Sequence, residues 1–306
     1  MTAFYPQDPR EQTEPFTAAT ATDNATRPSS RQGAPGVAAE QARPEAGGDF
    51  ADDADEQPRL EARRDLAAAH RLAVWHDFSE GIYNHFTLAV PGTNDRFLLP
   101  PFGLHWSEIQ ASQLMTIGFD GRLLAGEGII QRSAYCIHAP IHAAHAKHQA
   151  VFHTHMPYAG ALTRLESQHL LALGQTEALL LDQIAYDDAY DGLARDPAEG
   201  ERLATILGEK TILFMGNHGV LVTGRSAAEA YDRLYTLERA ARVQLFALWT
   251  GQRLRGLSPA QVDKVQDQIH NTPLHNSPGE QYKPGYQLHF EALRRLLDRR
   301  EPDYRD

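Results

Sequence analysis

The chain has 306 residues, a formal net charge of -11 and a single cysteine, Cys136. The acidic balance argues against nucleic acid as the main partner, and one cysteine excludes an intrachain disulfide or a multi-thiolate metal site. No apolar run approaches the length of a transmembrane helix, and the N-terminal segment lacks the features of a secretory signal. We therefore expect a mixed globular protein of the cytoplasm.

Residues 1–57 differ in composition from the rest of the chain. They are dominated by Ala, Pro, Gly, Gln, Thr, Ser and acidic residues, and they contain few large apolar side chains. Such a segment buries too little apolar area to offset the entropy lost on ordering. We expect a disordered acidic leader over 1–57, a mixed α/β domain over 58–250 and a helical extension over 251–306.

The first half of the domain shows helical spacing from about Pro58, and then two strand pairs. The first pair turns at 91–95 and the second at 120–121, where the sequences PGTND and DG favour hairpins. A helix over 133–148 follows, in which His145 and His148 are expected to face solvent. Residues 149–155 have the pattern of a buried strand that runs into a loop.

The second half of the domain contains a short helix at 197–209 and two strands on either side of 216–219. A long amphipathic helix follows, capped by Ser226 with Glu229 completing a capping box. Two more helical segments, at 258–269 and 287–300, form the expected extension.

Histidines occupy alternate positions at His153 and His155, in the predicted buried strand. Because residues i and i+2 of a strand point to the same side, the two imidazoles can converge on one point. Imidazoles suit a divalent metal such as zinc, manganese, iron or cobalt. His218 lies at an Asn-His-Gly tip between two strands and can project into the same cleft. The alternative is that this tip is only a hairpin turn.

A family resemblance rests on several motifs in a fixed order. FHTHMP at 152–157 is followed by MGNHG at 215–219 and by a helix that begins SAAEAYDRLYTLE. Upstream, GIYNHFTLAVPG and RFLLPPFGLHW fall in the same order. Over roughly residues 60–250 the chain resembles the class II aldolase/adducin family, and within it the adducin-like branch.

The resemblance implies a three-layer α/β/α fold around a mainly antiparallel sheet. It also implies a metal site formed by His153, His155 and His218, and a homotetramer with small-molecule sites at subunit interfaces. By the same resemblance, Asn84 matches the asparagine of the family's substrate-binding loop, and Gly103 matches the glycine of its phosphate-binding turn.

The chain departs from the family's aldolases in its catalytic residues. Their acid/base carboxylate precedes the first metal histidine by about nineteen residues, and that position is Ala134 here. Phe102 replaces the serine before Gly103, and only Ser133 remains of two serines, the other being Arg132. Since a general acid or base contributes a rate factor of about 10²–10⁴, the chain is not predicted to be a sugar-phosphate aldolase.

The chemistry compatible with these residues is that of a divalent-metal-dependent carbon-carbon lyase, aldolase-like or decarboxylase-like, acting through a metal-stabilised enolate. The expected substrate is a small hydroxy-acid, keto-acid or carbonyl compound, and zinc is the first choice of metal. The candidate proton shuttles are His138, His142 and Tyr158, together with His85. The candidate substrate-binding residues are Asn84, His85, Gly103, Arg132 and Ser133.

Each candidate has a structural alternative. His138 and His142 lie one helical turn apart, and the alternative for both is a buried, hydrogen-bonded core histidine. Arg132 can hold an acidic substrate by a bidentate pair, or can form a surface ion pair. Tyr158 can pack where the chain turns after Pro157.

A different class of function is a non-catalytic scaffold. Adducin, in the same family, is a cytoskeletal protein that binds actin and spectrin, and the fold alone is a weak guide to function. This chain lacks adducin's lysine-rich tail, since it has four lysines in all. A third alternative is a metal that only stabilises the structure.

Overall fold

A computed structural model describes residues 53–167, 169–190, 192–271 and 283–306, except for the side chains of 53–55, 270 and 271. Most of the expected leader lies outside the described residues. The first helix begins at Asp53, five residues before the boundary expected at Pro58. The helices are α1 Asp53–Trp75, α2 Arg132–Ala144, α3 Pro157–Leu162, α4 Gln175–Ala178, α5 Pro197–Leu207, α6 Ala227–Trp249, α7 Pro259–Asn271 and α8 Gly285–Arg300.

One eight-stranded sheet runs through the described residues, in the order β4-β3-β2-β1-β5-β8-β7-β6. Its strands are β1 His85–Ala89, β2 Arg96–Leu99, β3 Met115–Gly118, β4 Leu123–Ala125, β5 Ala150–Thr154, β6 Ile184–Asp187, β7 Ile212–Met215 and β8 Gly219–Gly224. Every pairing is antiparallel except that of β6 with β7. The mainly antiparallel sheet and both predicted hairpins are confirmed.

Helices cover both faces of the sheet because side chains alternate along each strand. On one face Phe86, Phe152 and Phe214 pack with α1, α6 and α8. On the other face Val151 and Leu221 pack with α2 and α5. The predicted three-layer α/β/α arrangement is therefore confirmed. None of the described helices is both long and apolar enough to span a bilayer.

The expected C-terminal extension is only partly an extension. Phe290 and Leu297 of α8 are buried in the same core as α1 and α6, and so is Tyr304 in the short 3-10 turn after α8. The buried guanidinium of Arg71 in α1 pairs with Glu301 at 3.2 Å and Asp303 at 2.8 Å. The last described residues are therefore an integral part of the domain.

The helix that carries Pro140 is shorter than predicted. α2 ends at Ala144, so His145 and His148 lie in the turn that leads to β5 rather than on a helix surface. His148 is 2% exposed, and its Nε2 lies 3.3 Å from the carbonyl oxygen of Gly208. The expectation that His148 faces solvent is wrong, because the turn folds its ring under α5.

The cap of α6 is confirmed with one difference. Ser226 accepts a hydrogen bond from the amide of Glu229, as predicted. The Glu229 carboxylate accepts from the amide of Arg225, one residue before the cap.

Candidate metal centre

Three imidazoles converge where β5 ends beside the turn between β7 and β8. The ring centroids of His153 and His155 are 5.0 Å apart, and those of His153 and His218 are 4.8 Å apart. The third pair, His155 and His218, is separated by 5.0 Å. One nitrogen from each ring lies within 4.8 Å of the others. Backbone pairing of β5 with β8 brings the two parts of the sequence together.

The hydrogen bonds of two rings orient a nitrogen of each toward a common ligand. Nδ1 of His153 donates to the carbonyl oxygen of Val220 at 3.0 Å, which leaves its Nε2 unprotonated. Nδ1 of His155 lies 2.6 Å from the carboxylate of Glu80. Nε2 of His155 is buried and has no hydrogen-bond partner within the described residues. An orphaned, inward-facing imidazole nitrogen is what a divalent metal would satisfy, so these residues fit the metal that the resemblance implies.

A glycine makes room for the cluster. A Cβ on Gly219 would lie 2.7 Å from Cδ2 of His155 and 2.7 Å from the carbonyl oxygen of Thr154. The preceding turn also uses a left-handed residue, Asn217, at φ 55°. The Asn-His-Gly tip is a turn, and it also delivers the imidazole of His218 to the other two rings.

Burial keeps two of these imidazoles neutral. The pKa of His153 lies well below its ordinary value because burial disfavours the charged form, and His218 and His85 add repulsion. Burial, followed by His155, lowers the pKa of His218 to about 4. A neutral imidazole is the form that binds a metal.

The substrate-loop residues lie next to the cluster. Asn84 adopts φ 67°, and its Oδ1 accepts a hydrogen bond from the amide of His155 at 3.1 Å. His85 is the cross-strand partner of His153, and their ring centroids are 5.0 Å apart. Nε2 of His85 lies 3.5 Å from the hydroxyl of Ser133, at the start of α2. The structure thus brings Asn84, His85 and Ser133 together with the three histidines.

The chain resembles known proteins in both sequence and fold. Residues 64–245 match the model of the class II aldolase and adducin N-terminal domain. A crystal structure of an aldolase II superfamily protein from Pseudomonas syringae is 36% identical, with a TM-score of 0.72 over 81% of this chain and 96% of that one. The chain belongs to the class II aldolase/adducin family.

The relatives come from both branches of that family. Alpha-adducin of Rattus norvegicus is 32% identical over 76% of this chain, which corresponds to 32% of the adducin. The structure of an L-fuculose 1-phosphate aldolase from Glaciozyma antarctica matches with a TM-score of 0.69 over 85% of this chain and 97% of that one. At 23% identity, this second likeness concerns the fold alone.

The two histidines proposed as proton shuttles, His138 and His142, lie at different distances from the three-histidine cluster. His138 is fully buried, and its Nε2 lies 2.8 Å from Nδ1 of His85, one hydrogen bond away from the cluster. His142 is farther away, since the hydroxyl of Thr87 separates it from His138. Both histidines are buried and hydrogen-bonded, as the structural alternative expected.

Tyr158 and Arg132 point away from the predicted site. The Tyr158 ring packs edge-on against Phe246, with Arg242 over its face, and it lines a cavity beside α6. Arg132 is exposed and donates to the carbonyl oxygen of Arg195 at 2.6 Å. The packing of Tyr158 and the surface position of Arg132 follow the structural alternatives given for them, although Arg132 bonds a backbone carbonyl rather than a carboxylate.

Gly103, which the resemblance matches to a phosphate-binding turn, adopts φ 108°. It lines a surface cleft together with Phe102, Glu127 and Ile129. The ring of Phe102, at the position where the resemblance implies a serine, lies 6.2 Å from the ring of Tyr83.

Ala134 is buried and packs in the small core formed by Phe97, Leu99 and their neighbours. The first turn of α2, in which Ala134 lies, contains no carboxylate. Glu80 and Thr87 were not among the predicted site residues. Glu80 contacts His155, and Thr87 contacts His138 and His142. Thr87 follows His85 by two residues on one strand, so the period of two would have found it. No local pattern marks Glu80.

Proposed function

We propose that the chain is a divalent-metal-dependent carbon-carbon lyase that acts on a small hydroxy-acid, keto-acid or carbonyl compound. The single observation that carries the proposal is the convergence of three imidazoles, one of which has a buried nitrogen with no hydrogen-bond partner among the described residues. His153, His155 and His218 would hold the metal. Three imidazoles suit zinc first, with manganese, iron or cobalt as alternatives.

When bound, a divalent ion supplies a Lewis acid for a carbonyl or hydroxyl oxygen of the substrate. The side chains around the histidines would bind and orient the substrate and transfer protons. Asn84 fixes the backbone of His155, and Ser133 and His85 offer polar atoms beside the cluster. His85 is the group that would replace the acid/base carboxylate, because its Nε2 faces the first turn of α2, next to Ala134.

An acidic substrate needs a cation, and Arg164 supports that role better than Arg132. Arg164 lies close enough to His218 for its charge to lower the pKa of that imidazole. Its guanidinium is anchored, since Nη1 donates to the carbonyl oxygen of Gly160 at 2.6 Å and to the hydroxyl of Thr163 at 2.8 Å. A cation held in this way can pair with a carboxylate.

A substrate screen tests the proposal. Metal-loaded full-length protein is incubated with small hydroxy-acids, keto-acids and aldehydes, and carbon-carbon cleavage is followed as release of carbon dioxide or aldehyde. We expect turnover that is lost on His218→Ala and retained on Glu209→Ala, since the side chain of Glu209 is 87% exposed. Equal turnover in the His218→Ala variant would contradict the proposal.

The scaffold alternative is an outcome of the same work. Protein that binds metal, cleaves none of these compounds and cosediments with actin filaments would support the adducin-like function instead. Metal that is bound without any turnover, and whose removal lowers the free energy of unfolding, would support a structural metal.

We also propose a cytoplasmic homotetramer. Cys136 is a free, buried thiol, which suits a reducing compartment. The end of α6 exposes large apolar side chains, with Trp249 85% exposed, Val243 54% and Phe246 43%. Light scattering is expected to give the mass of four chains, and a smaller assembly for Trp249→Glu.

A further inference from the structure

Buried histidines form a continuous hydrogen-bonded chain between the sheet and α2. Nδ1 of His85 lies 2.8 Å from Nε2 of His138, and Nδ1 of His138 lies 2.6 Å from the hydroxyl of Thr87. The same hydroxyl lies 2.8 Å from Nε2 of His142. Nδ1 of His142 ends the chain 2.7 Å from the carbonyl oxygen of His148. The hydroxyl of Thr87 therefore links the His85–His138 pair to the pair formed by His142 and the carbonyl of His148.

The carbonyl oxygen at the far end sets the direction of every bond. A carbonyl only accepts, so Nδ1 of His142 carries the proton, and Nε2 of the neutral ring is an acceptor. The hydroxyl of Thr87 must then donate to His142. If that proton went instead to the carbonyl oxygen of Val151, at 3.2 Å, two lone pairs would face each other at 2.8 Å.

The proton positions on His138 and His85 follow from the bond that Thr87 donates to His142. With its own proton used, the Thr87 oxygen accepts from His138, which therefore carries its proton on Nδ1. Nε2 of His138 is then an acceptor, so Nδ1 of His85 donates to it. His85 is left with an unprotonated Nε2, whose hydrogen-bond contact among the described residues is the long one to Ser133, at 3.5 Å.

Burial keeps the hydrogen-bonded histidine rings neutral, and the assignment of their protons requires this. His138 and His85 are 0% and 3% exposed. Burial lowers the pKa of His142 to about 4 and holds the pKa of His138 well below its usual range. Neutral rings have one donor and one acceptor each, so the order of protons along the chain is unique.

We propose that Thr87 is a positioning residue which, through His138, fixes His85 with an unprotonated Nε2 beside the three-histidine cluster. The nitrogen accepts a hydrogen bond, so the ligand group that meets it carries a proton: a hydroxyl or a water, not a carboxylate. The use of this nitrogen by a substrate rests on the proposed function, whereas the arrangement of protons does not.

Nitrogen-15 NMR of histidine-labelled full-length protein, stripped of metal by a chelator and held near neutral pH, tests the proposal. The spectra separate protonated from unprotonated ring nitrogens, and single His→Gln variants assign them. We expect His85, His138 and His142 each to carry the proton on Nδ1. Thr87→Val removes the linking hydroxyl, and we expect the proton of His85 to move to Nε2. Thr87→Ser restores the hydroxyl and is expected to restore the wild-type pattern.

Thr223→Val is the matched control. Thr223 and Thr87 both pair with Val151, from the strands on either side of β5, and both are fully buried. The Thr223 hydroxyl has no hydrogen-bond partner within the described residues. This variant should leave all three histidines unchanged. A protonated Nε2 on His85 in the wild type would overturn the proposal, and so would an unchanged His85 in a folded Thr87→Val variant.

The measurement uses neither metal nor substrate, so its outcome is independent of the lyase proposal. If no lyase activity were found, the assigned order of protons would be unaffected. If the order of protons were wrong, the proposed metal site would be unaffected.

Discussion

Both ring nitrogens of His155 have defined surroundings. Glu80 contacts Nδ1, and the buried Nε2 has no hydrogen-bond partner in the part of the chain that the structure describes. A carboxylate behind a metal-binding histidine fixes the orientation of the ring and raises its basicity. Glu80 comes from the loop after α1, whereas the resemblance implies a carboxylate at the position that is Ala134 here.

Replacing Glu80 should weaken metal binding without removing it. We expect Glu80→Ala to lower the affinity for zinc about 10- to 100-fold, because the ring of His155 loses the group that orients it. Glu80→Gln keeps an acceptor and should lose less. Competition with a chelator measures the affinity, and Glu209→Ala is the control. Unchanged affinity in Glu80→Ala would show that the carboxylate does not support the site.

Single residues differ in how far the sequence predicts them. The alternation of His153 and His155 on one strand placed both rings correctly, because the period of a strand is fixed by its backbone. Glu80 was missed because the loop before β1 has no periodic pattern. For Tyr158 and Arg132 the sequence left two placements open, because the direction of a side chain at a helix start depends on its packing partners.

At the scale of elements, the buried carboxylate of Glu238 in α6 caps the start of α3. α3 begins at Pro157, two residues after His155, and its amides need partners. The carboxylate of Glu238 accepts from the amides of Tyr158 and Ala159, each at 2.8 Å. Burial raises the pKa of Glu238, while these two hydrogen bonds lower it. The contact thus holds the chain just beyond the candidate metal ligands.

Glu238→Ala should destabilise the fold. Two amides would lose their acceptor, and each buried unpaired group costs about 1–3 kcal/mol. We expect the free energy of unfolding to fall by about 2–4 kcal/mol, measured by urea denaturation, and Glu238→Gln to lose less. A stability within about 0.5 kcal/mol of the wild type in the alanine variant would rule out this role.

Helices and strands with a clear turn motif or a long apolar stripe were predicted from the sequence, and those without one were missed or misplaced. The hairpins were predicted because Pro-Gly and Asp-Gly turns separate apolar runs, and α6 because its apolar stripe extends over 23 residues. β6 was missed, since it has four residues and two of them are only partly buried. The end of α2 was placed four residues late, because Ala and Lys near His145 favour a helix that the turn to β5 interrupts.

For the whole molecule, the cost of burying histidines predicts how stability depends on pH. His70 is fully buried between the rings of Phe86 and Trp106, and its Nε2 has no partner among the described residues. Burial lowers the pKa of His70 to about 4. Below its ordinary pKa of 6.5 the unfolded chain binds a proton that the folded chain does not. Stability is therefore lost as the pH falls, until about pH 4.

Replacing His70 should flatten this dependence. Between about pH 7.5 and about pH 5 we expect the wild type to lose about 2 kcal/mol more of its free energy of unfolding than His70→Phe, since one pKa unit corresponds to about 1.4 kcal/mol. Urea denaturation of metal-free protein at the two pH values measures the difference. An identical loss in both proteins would show that His70 titrates in the folded state as it does in the unfolded one.

The most direct test of the central claim is the metal content of the purified full-length chain, measured by elemental mass spectrometry for wild type and for His153→Ala/His155→Ala. The three-imidazole geometry predicts about one divalent ion per chain in the wild type, and none in a folded double variant. Wild type that holds no metal, even after incubation with zinc or manganese, would contradict the claim. So would a double variant that holds as much metal as the wild type.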